Sequence, residues 1–416
     1  MNKQMPGALS GLRVLDLSRV LAGPWAAQVF GDLGADVIKI ERPGTGDETR
    51  TWGPPYLKDG AGKDTTEAAY FLSANRNKRS VCVDFTRPEG QEIIRKLAAE
   101  CDILIENFKV GGLKQYGLDY ETIRKINPRL IYCSITGFGQ QGPYAPRAGY
   151  DFLIQGMGGL MSLTGRKDGE PGSGPQKVGV ALTDILTGLY SVISVLAALN
   201  HRHATNEGQH VDLALLDVQV TSLANQNMNY LTSGAPPVRM GNAHPNIVPY
   251  QDFPTADGDM IIAVGNDGQF AALCGILGHP EWAADARFST NTLRVKNRET
   301  VIGMLRGVTA TRTTADWVKS CESVGVPCGP INDLSAVFDD PHIKSRQLKI
   351  ELPHPTAGTM PLVGSPIRMS ATPVEYRSPP PLLGEHTLAV LEEILGLSHS
   401  DVSKLAESKI VQARGL

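Results

Sequence analysis

The chain has 416 residues, 41% hydrophobic and 20% charged, with a formal net charge of −3. That length and apolar content fit two domains with sizeable cores, and the slightly acidic balance excludes the basic footprint of a nucleic-acid binder. Six scattered cysteines (Cys82, Cys101, Cys133, Cys274, Cys321, Cys328) form no Cys-x-x-Cys pair, which argues against zinc and thioredoxin-type motifs and fits reduced thiols in a cytoplasm.

The opening residues 1–7 carry no apolar signal region, and no run in the chain reads as long enough to span a membrane. The spacing predicts a strand over 12–17, a turn at Ala22-Gly23-Pro24, a helix over 25–33 stopped at Gly34, and a second strand over 36–41. Strand, helix and strand within about 30 residues make a βαβ unit, which demands parallel pairing. Glu41 closes the second strand where a dinucleotide fold carries its ribose-binding acid. The first turn, however, reads Ser18-Arg19-Val20-Leu21-Ala22-Gly23-Pro24 without a G-x-G-x-x-G, which disfavours a nicotinamide dehydrogenase. The loop 42–55 lies past the carboxyl end of a strand, where open α/β sheets place ligands. Its Arg42 and Arg50 flank glycines in a way that suits an anion, with a plain solvated loop as the alternative. Asn75-Arg76-Asn77-Lys78-Arg79 is a short basic cluster before a strand over 80–85; it could clamp phosphates, although such clusters are common on surfaces.

A helix over 88–100, a strand over 102–108, a short helix over 120–126 and a strand over 130–136 follow, then a glycine-rich loop over 137–143. At least four strands alternating with helices are the signature of an α/β fold with a doubly wound, mostly parallel sheet. Gly149-Tyr150-Asp151 opens another helix, with Asp151 placed to cap it. The stretch from Gly179 to Gly188 starts a helix running to about residue 200, too apolar all round for a surface helix. Thr183 is placed as its N-cap and Asp184 in its first turn, where the positive helix end and free N–H groups would hold a carboxylate. An acid there is also simply a favoured first-turn residue. Against that plain reading stand the small residues on the approach, with Gly188 one turn on, which leave room for a bulky group to reach the carboxylate.

His201 and His203 are two apart and share no helix face, so no metal site is expected. A strand over 210–216 and a helix over 217–229 follow, and composition shifts at Ser233-Gly234-Ala235-Pro236-Pro237. Beyond it, a hairpin turning at Asp257-Gly258 and helices over 267–277, 295–306 and 313–324 read as a smaller α+β domain. Residues 362–383 are proline-rich and extended. The expected organisation is a large domain begun over 1–200, a linker over 201–235, a small domain over 236–330, a second linker over 331–385, and a segment over 386–416 returning to the large domain.

Several of these stretches together resemble the class III coenzyme A transferases, the family of formyl-CoA:oxalate and carnitine-CoA transferases. They are Val14-Leu15-Asp16-Leu17 with Ala22-Gly23-Pro24, Leu33 through Pro43, Asn77-Lys78-Arg79-Ser80, Glu106-Asn107-Phe108, and Thr183-Asp184 with Gly188. Gly325-Val326-Pro327-Cys328-Gly329-Pro330 and Leu382-Leu383-Gly384-Glu385-His386-Thr387 complete the set, in the family's order over nearly the whole chain. Within the family, residues 49–55, 75–78, 241–244 and 248–251 look most like the members that transfer coenzyme A from succinyl-CoA to glutarate.

The resemblance implies that Asp184 is the catalytic nucleophile, that acyl-CoA thioesters are substrates with no permanently bound cofactor, and that two ring-like subunits interlock as a homodimer. It implies that Arg19, Val20, Leu21, Ala22, Arg42, Lys78, Asn107 and Phe108 line the coenzyme A site. Arg50, Arg76, Tyr150 and His244 are expected at the acid substrate. A dicarboxylate brings a second negative charge whose desolvation needs a cation, and Arg50 or Arg76, with His244, is expected to receive it. The chemistry fits independently: transfer between two carboxylates needs a carboxylate nucleophile that forms a mixed anhydride, and N–H groups at the helix start would stabilise the oxyanions. The rivals are acceptors such as itaconate, malate or methylsuccinate, a non-catalytic coenzyme A-binding protein, and an α-methylacyl-CoA racemase. The racemases resembling this chain carry a His where it has Tyr150, and tyrosine is a poor base near neutral pH.

Overall fold

Six short runs rich in Val, Ile, Leu and Cys form parallel strands: β1 (Arg13–Asp16), β2 (Asp36–Glu41), β3 (Lys78–Val83), β4 (Ile103–Glu106), β5 (Ile131–Thr136) and β6 (His210–Ala214). Near-continuous apolar character is what strands covered on both faces require, and all of β5 is buried. The computed structural model describes residues 7–416; Met1–Pro6, most of the opening segment read for a signal, lie outside the described residues. Across the sheet the order is β3-β2-β1-β4-β5-β6, and Val411–Gln412 adds an antiparallel edge beside β3. The order reverses between β1 and β4, so the loops leaving their carboxyl ends diverge and open a crevice there.

Four helices bear on that crevice: α1 (Ala22–Asp32), α2 (Asp151–Met157), α3 (Leu182–Thr205) and α4 (Leu215–Ser222). α1 begins three residues earlier than the spacing predicts, because Gly23 and Pro24 fit inside its first turn. Tyr150, not Asp151, is the residue before α2, and Ala181, not Thr183, precedes α3. α1 and α3 cover one face of the sheet, where Ala26, Phe30, Val192, Val195 and Leu199 share a core with Val14, Ile105 and Cys133. The helix Pro88–Ala99 and the C-terminal helix Thr387–Leu395 cover the other.

α3 departs from its sequence reading in three ways. It runs on to Thr205, closed by Asn206 in the left-handed region. It is not buried all round: Leu189, Tyr190, Ile193 and Leu196 are exposed while Val195 is fully covered. By length and composition alone it could cross a membrane, with 24 residues and a mean hydropathy of 1.8, contrary to the expectation that no run reaches that length. Gly188 also has a different role from the room-making one expected. A Cβ there would lie 2.7 Å from the Ala22 carbonyl oxygen and 3.2 Å from Trp25, so Gly188 lets α3 press against α1. Gly188→Ala should destabilise the protein by about 1–3 kcal/mol through overpacking, read by denaturant unfolding, and should displace the Asp184 end of the helix.

The chain divides into two compact units. The first comprises the described residues through Leu160, then Val178–Met228 and Lys344–Leu416. The expected linker 201–235 instead supplies strand β6 and helix α4 to this unit. The expected linker 331–385 carries an antiparallel hairpin, Lys349–His354 with Gly358–Val363, whose Met360 and Leu362 pack on Phe71 and Leu72. Strand alternation over 349–363 was masked by its prolines. The second unit, Met161–Lys177 with Asn229–Ile343, is α+β. Its three-stranded antiparallel sheet runs Cys328–Pro330, Asp259–Ala263, Tyr250–Pro254, and Phe253, Ile262, Leu273, Leu305 and Trp317 meet in its core.

Candidate active site

At the switch point of the first unit lies a cleft of about 150 Å³. The turn after β1 gives it Arg19, Val20, Leu21 and Ala22, and the turn after β4 gives Asn107, Phe108, Lys109 and Val110. Thr136 at the end of β5, Gly137 after it, Ala145, Arg147 to Tyr150, and Asp184 complete it with a few others. Two glycines shape this end: a Cβ on Gly149 would lie 2.4 Å from the Gly137 Cα, so the two backbones touch where any side chain would separate them.

Asp184 is 9% exposed. Burial, and secondarily the charge of Asp151, push its carboxyl up to about 7. The expectation that free helix-start N–H groups hold it as a carboxylate is therefore corrected. Those groups belong to Asp151, whose Oδ2 accepts Thr183 N–H at 2.8 Å and Asp184 N–H at 3.3 Å. Asp151 is in turn fixed by Gln155, whose Nε2 donates to Oδ1 at 2.6 Å. From α4, Gln219 Oε1 accepts the Thr183 hydroxyl at 2.6 Å. The start of α3 is thus capped by Asp151 and tied through its Thr183 side chain to α4, and two carboxylates sit close together at its first turn.

The wall after β1 is held just as firmly. Val20 has φ +69°, a strained conformation for a β-branched residue. Its N–H meets both Asp47 carboxylate oxygens at 3.3 Å. The buried Lys39 ammonium holds Asp47 at 2.9 Å and the Ser18 carbonyl at 3.0 Å. Lys39 is among the causes that keep the Asp47 carboxyl down at about 2, although burial opposes it. Asn107 uses its whole amide on Arg19: Oδ1 accepts the N–H at 2.9 Å and Nδ2 donates to the carbonyl at 2.7 Å. The Arg19 guanidinium pairs with Glu48 and lies 4.8 Å over the Phe108 ring.

Of the residues singled out in the sequence, Asp184, Arg19, Val20, Leu21, Ala22, Asn107, Phe108 and Tyr150 line this one cleft. The others do not. Lys78 is 1% exposed, its ammonium committed to Asp16 at 3.0 Å, the Pro24 carbonyl and Asn75; burial pushes it down to about 8. Arg50 forks onto Glu41 at 2.7 and 2.8 Å, meets Glu67 at 3.5 Å and stacks 3.7 Å over Phe71. Arg76 forks onto Asp32 and donates to the Val363 carbonyl. These buried ion pairs satisfy each guanidinium, so neither is placed to receive a substrate carboxylate, and Lys78 is not placed to receive phosphates. Arg42 is exposed beyond β2 and does not line the cleft. His244 belongs to the second unit, where its Nδ1 accepts the Asn246 N–H at 3.1 Å; burial and the charge of Arg298 lower its pKa. Two cleft cations went unread in the sequence. Arg147 lies 4.6 Å over the Tyr144 ring, and Lys109 follows Phe108. The glycines that bracket 137–149 were the available signal for Arg147.

The model of CoA-transferase family III matches residues 9–387. The chain is 52% identical to succinate–glutarate CoA-transferase of Agrobacterium fabrum over 393 residues, 94% of this chain and 96% of that protein. It is 45% identical to succinyl-CoA:glutarate CoA-transferase of Mus musculus over 404 residues, 97% of this chain and 90% of that protein. A crystal structure of a CAIB/BAIF family protein from Brucella suis superposes with a TM-score of 0.82 at 52% identity, covering 94% of this chain and all of that one. With its parallel sheet, switch-point cleft and buried aspartate, this chain belongs to CoA-transferase family III and is an enzyme of that class.

Proposed function

We propose that the enzyme transfers coenzyme A from succinyl-CoA to glutarate, with Asp184 as the nucleophile. The observation that carries this reading is the buried Asp184 carboxylate, which reaches the switch-point cleft from a helix start capped by Asp151. The substrates follow the relatives that share 52% and 45% identity with the chain.

The ionised Asp184 attacks the succinyl thioester carbonyl and coenzyme A leaves as thiolate, giving a mixed anhydride. The thiolate attacks the aspartyl carbonyl and succinate leaves. A glutarate carboxylate then attacks the aspartyl thioester, releasing the thiolate. The thiolate takes the glutaryl group, and Asp184 is regenerated with no net proton exchanged. Every bond made is matched by one broken between oxygen, sulfur and acyl carbon, so the chemistry calls for no permanently bound cofactor. Desolvation sharpens the carboxylate as a nucleophile, and Tyr150 at the cleft mouth contacts the acid substrate.

Arg147 and Lys109 supply positive charge to the coenzyme A phosphates, the role first expected of Lys78 and Arg42. Arg147→Ala should raise the KM for succinyl-CoA about tenfold with little change in kcat, as loss of uniform binding requires. Unchanged KM in steady-state kinetics would remove Arg147 from the site. A homodimer covers the exposed apolar face of α3 at Leu189, Tyr190, Ile193 and Leu196, since solvent contact of that extent is unfavourable. The interlocked arrangement follows the family resemblance, and intracellular thioesters as substrates favour a cytoplasmic setting. The test of the reading is incubation with succinyl-CoA and a panel of diacids and monoacids, with products identified by mass. Glutaryl-CoA should dominate; equal products from butyrate and glutarate would overturn the substrate assignment.

A further inference from the structure

We infer that Glu106 is a positioning residue for the acyl-CoA wall of the cleft, holding the Phe108 backbone from the end of β4. The inference rests on the reading of the cleft as an acyl-CoA site. Glu106 ends β4 and does not line the cleft. It lines a second cavity of about 270 Å³, which shares Lys109 and Val110 with the cleft.

The residues involved stand on three neighbouring strands. Glu106 Oε2 accepts the Phe108 N–H at 2.8 Å. In the parallel register Glu106 stands beside Ser134 on β5, and Ser134 is among the groups that draw its carboxyl down. Ser134 Oγ lies 2.9 Å from His210 Nε2, at the start of β6. The His210 ring is itself fixed, stacked 4.8 Å from Tyr120. Glu106 is 6% exposed and Ser134 2%, so both side chains are largely withdrawn from bulk solvent. Burial raises the Glu106 carboxyl to about 7 against the lowering pull of the Ser134 and Phe108 bonds.

Glu106 therefore reaches the ligand through Phe108. That ring lies in the cleft wall beneath the Arg19 guanidinium, and the neighbouring Asn107 clamps the Arg19 backbone. Releasing the Phe108 N–H loosens the wall against which acyl-CoA binds, while Asp184 on its own helix keeps its place.

Steady-state kinetics on three variants test this. Glu106→Ala should raise the KM for succinyl-CoA about 5- to 20-fold with kcat within about twofold of wild type. Glu106→Gln, which keeps an acceptor oxygen for Phe108, should restore KM to near wild type. Unchanged KM in Glu106→Ala, a fall in kcat alone, or equal impairment of the Ala and Gln variants would each overturn the inference. If Glu106→Ala does not fold, Ser134→Ala carries the test: it removes the polar neighbour beside the carboxylate and should raise KM about 2- to 5-fold, and an unchanged KM would overturn the inference. Ala22→Trp, which fills the cleft, separates the two levels. If calorimetry with free coenzyme A finds its binding to Ala22→Trp unimpaired, the cleft reading fails whatever Glu106 does.

Discussion

Asp184→Asn or Asp184→Ala should lose at least about 10³-fold in CoA transfer, because no other described side chain in the cleft offers a carboxylate at the same point and removal of a nucleophile commonly costs that much. Coenzyme A binding, measured by calorimetry, should stay within about twofold, since the variants leave the Arg19–Ala22 and Asn107–Val110 walls intact. Stability should move the other way. Burial raises the folded pKa of Asp184 from 3.8 to about 7, so the fold favours the neutral form. The stabilisation linked to that neutral form is complete below about 4 and is lost as pH rises through about 7. Asp184→Asn should therefore melt higher than wild type at pH 8, by roughly 1–3 kcal/mol, and the two should converge near pH 4. A variant less stable than wild type at pH 8 would show that the ionised carboxylate is better solvated than its burial implies.

Asp151 should prove nearly as important, through two separable effects. Asp151→Ala leaves the Thr183 and Asp184 N–H groups without their acceptor at a helix start, which should cost about 1–2 kcal/mol of stability and misplace Asp184. Activity should fall about 10²-fold, since small displacements of a reacting group carry costs of that size. Asp151→Asn keeps an oxygen for the cap but removes the like charge. The acid limb of kcat/KM, expected near pH 7 in the wild type from Asp184, should move to lower pH in Asp151→Asn. An unmoved limb in an otherwise active Asp151→Asn enzyme would assign that limb to another group.

What could be read from the sequence was what depends on neighbours along the chain. Alternating apolar runs and helices pointed to the parallel sheet, whose strands then pair as expected. Asp184 stood out because small residues surround its place at the head of a long apolar helix, and it does line the cleft. What stayed hidden depends on partners far apart in sequence. Arg76 looked like a free cation beside Lys78, yet its carboxylate, Asp32, lies 44 residues away. Arg50 stood close to Glu41 in sequence, but only the fold turns the loop between them back into a buried fork. Asp151 was recognisable as a helix-start acid, whereas its target is a helix 32 residues downstream. Gly188 was read as empty space because the Ala22 carbonyl that fills it belongs to α1.

The central claim is that the acyl group and coenzyme A pass through Asp184. The most direct measurement is to mix the enzyme with succinyl-CoA in the absence of an acceptor, quench with hydroxylamine, digest, and map modified peptides by mass spectrometry. The account predicts a hydroxamate on Asp184, formed from the aspartyl thioester or anhydride, and none in Asp184→Asn. A hydroxamate on any other carboxylate, or an unmodified Asp184 in enzyme shown to turn over in the same preparation, would contradict it.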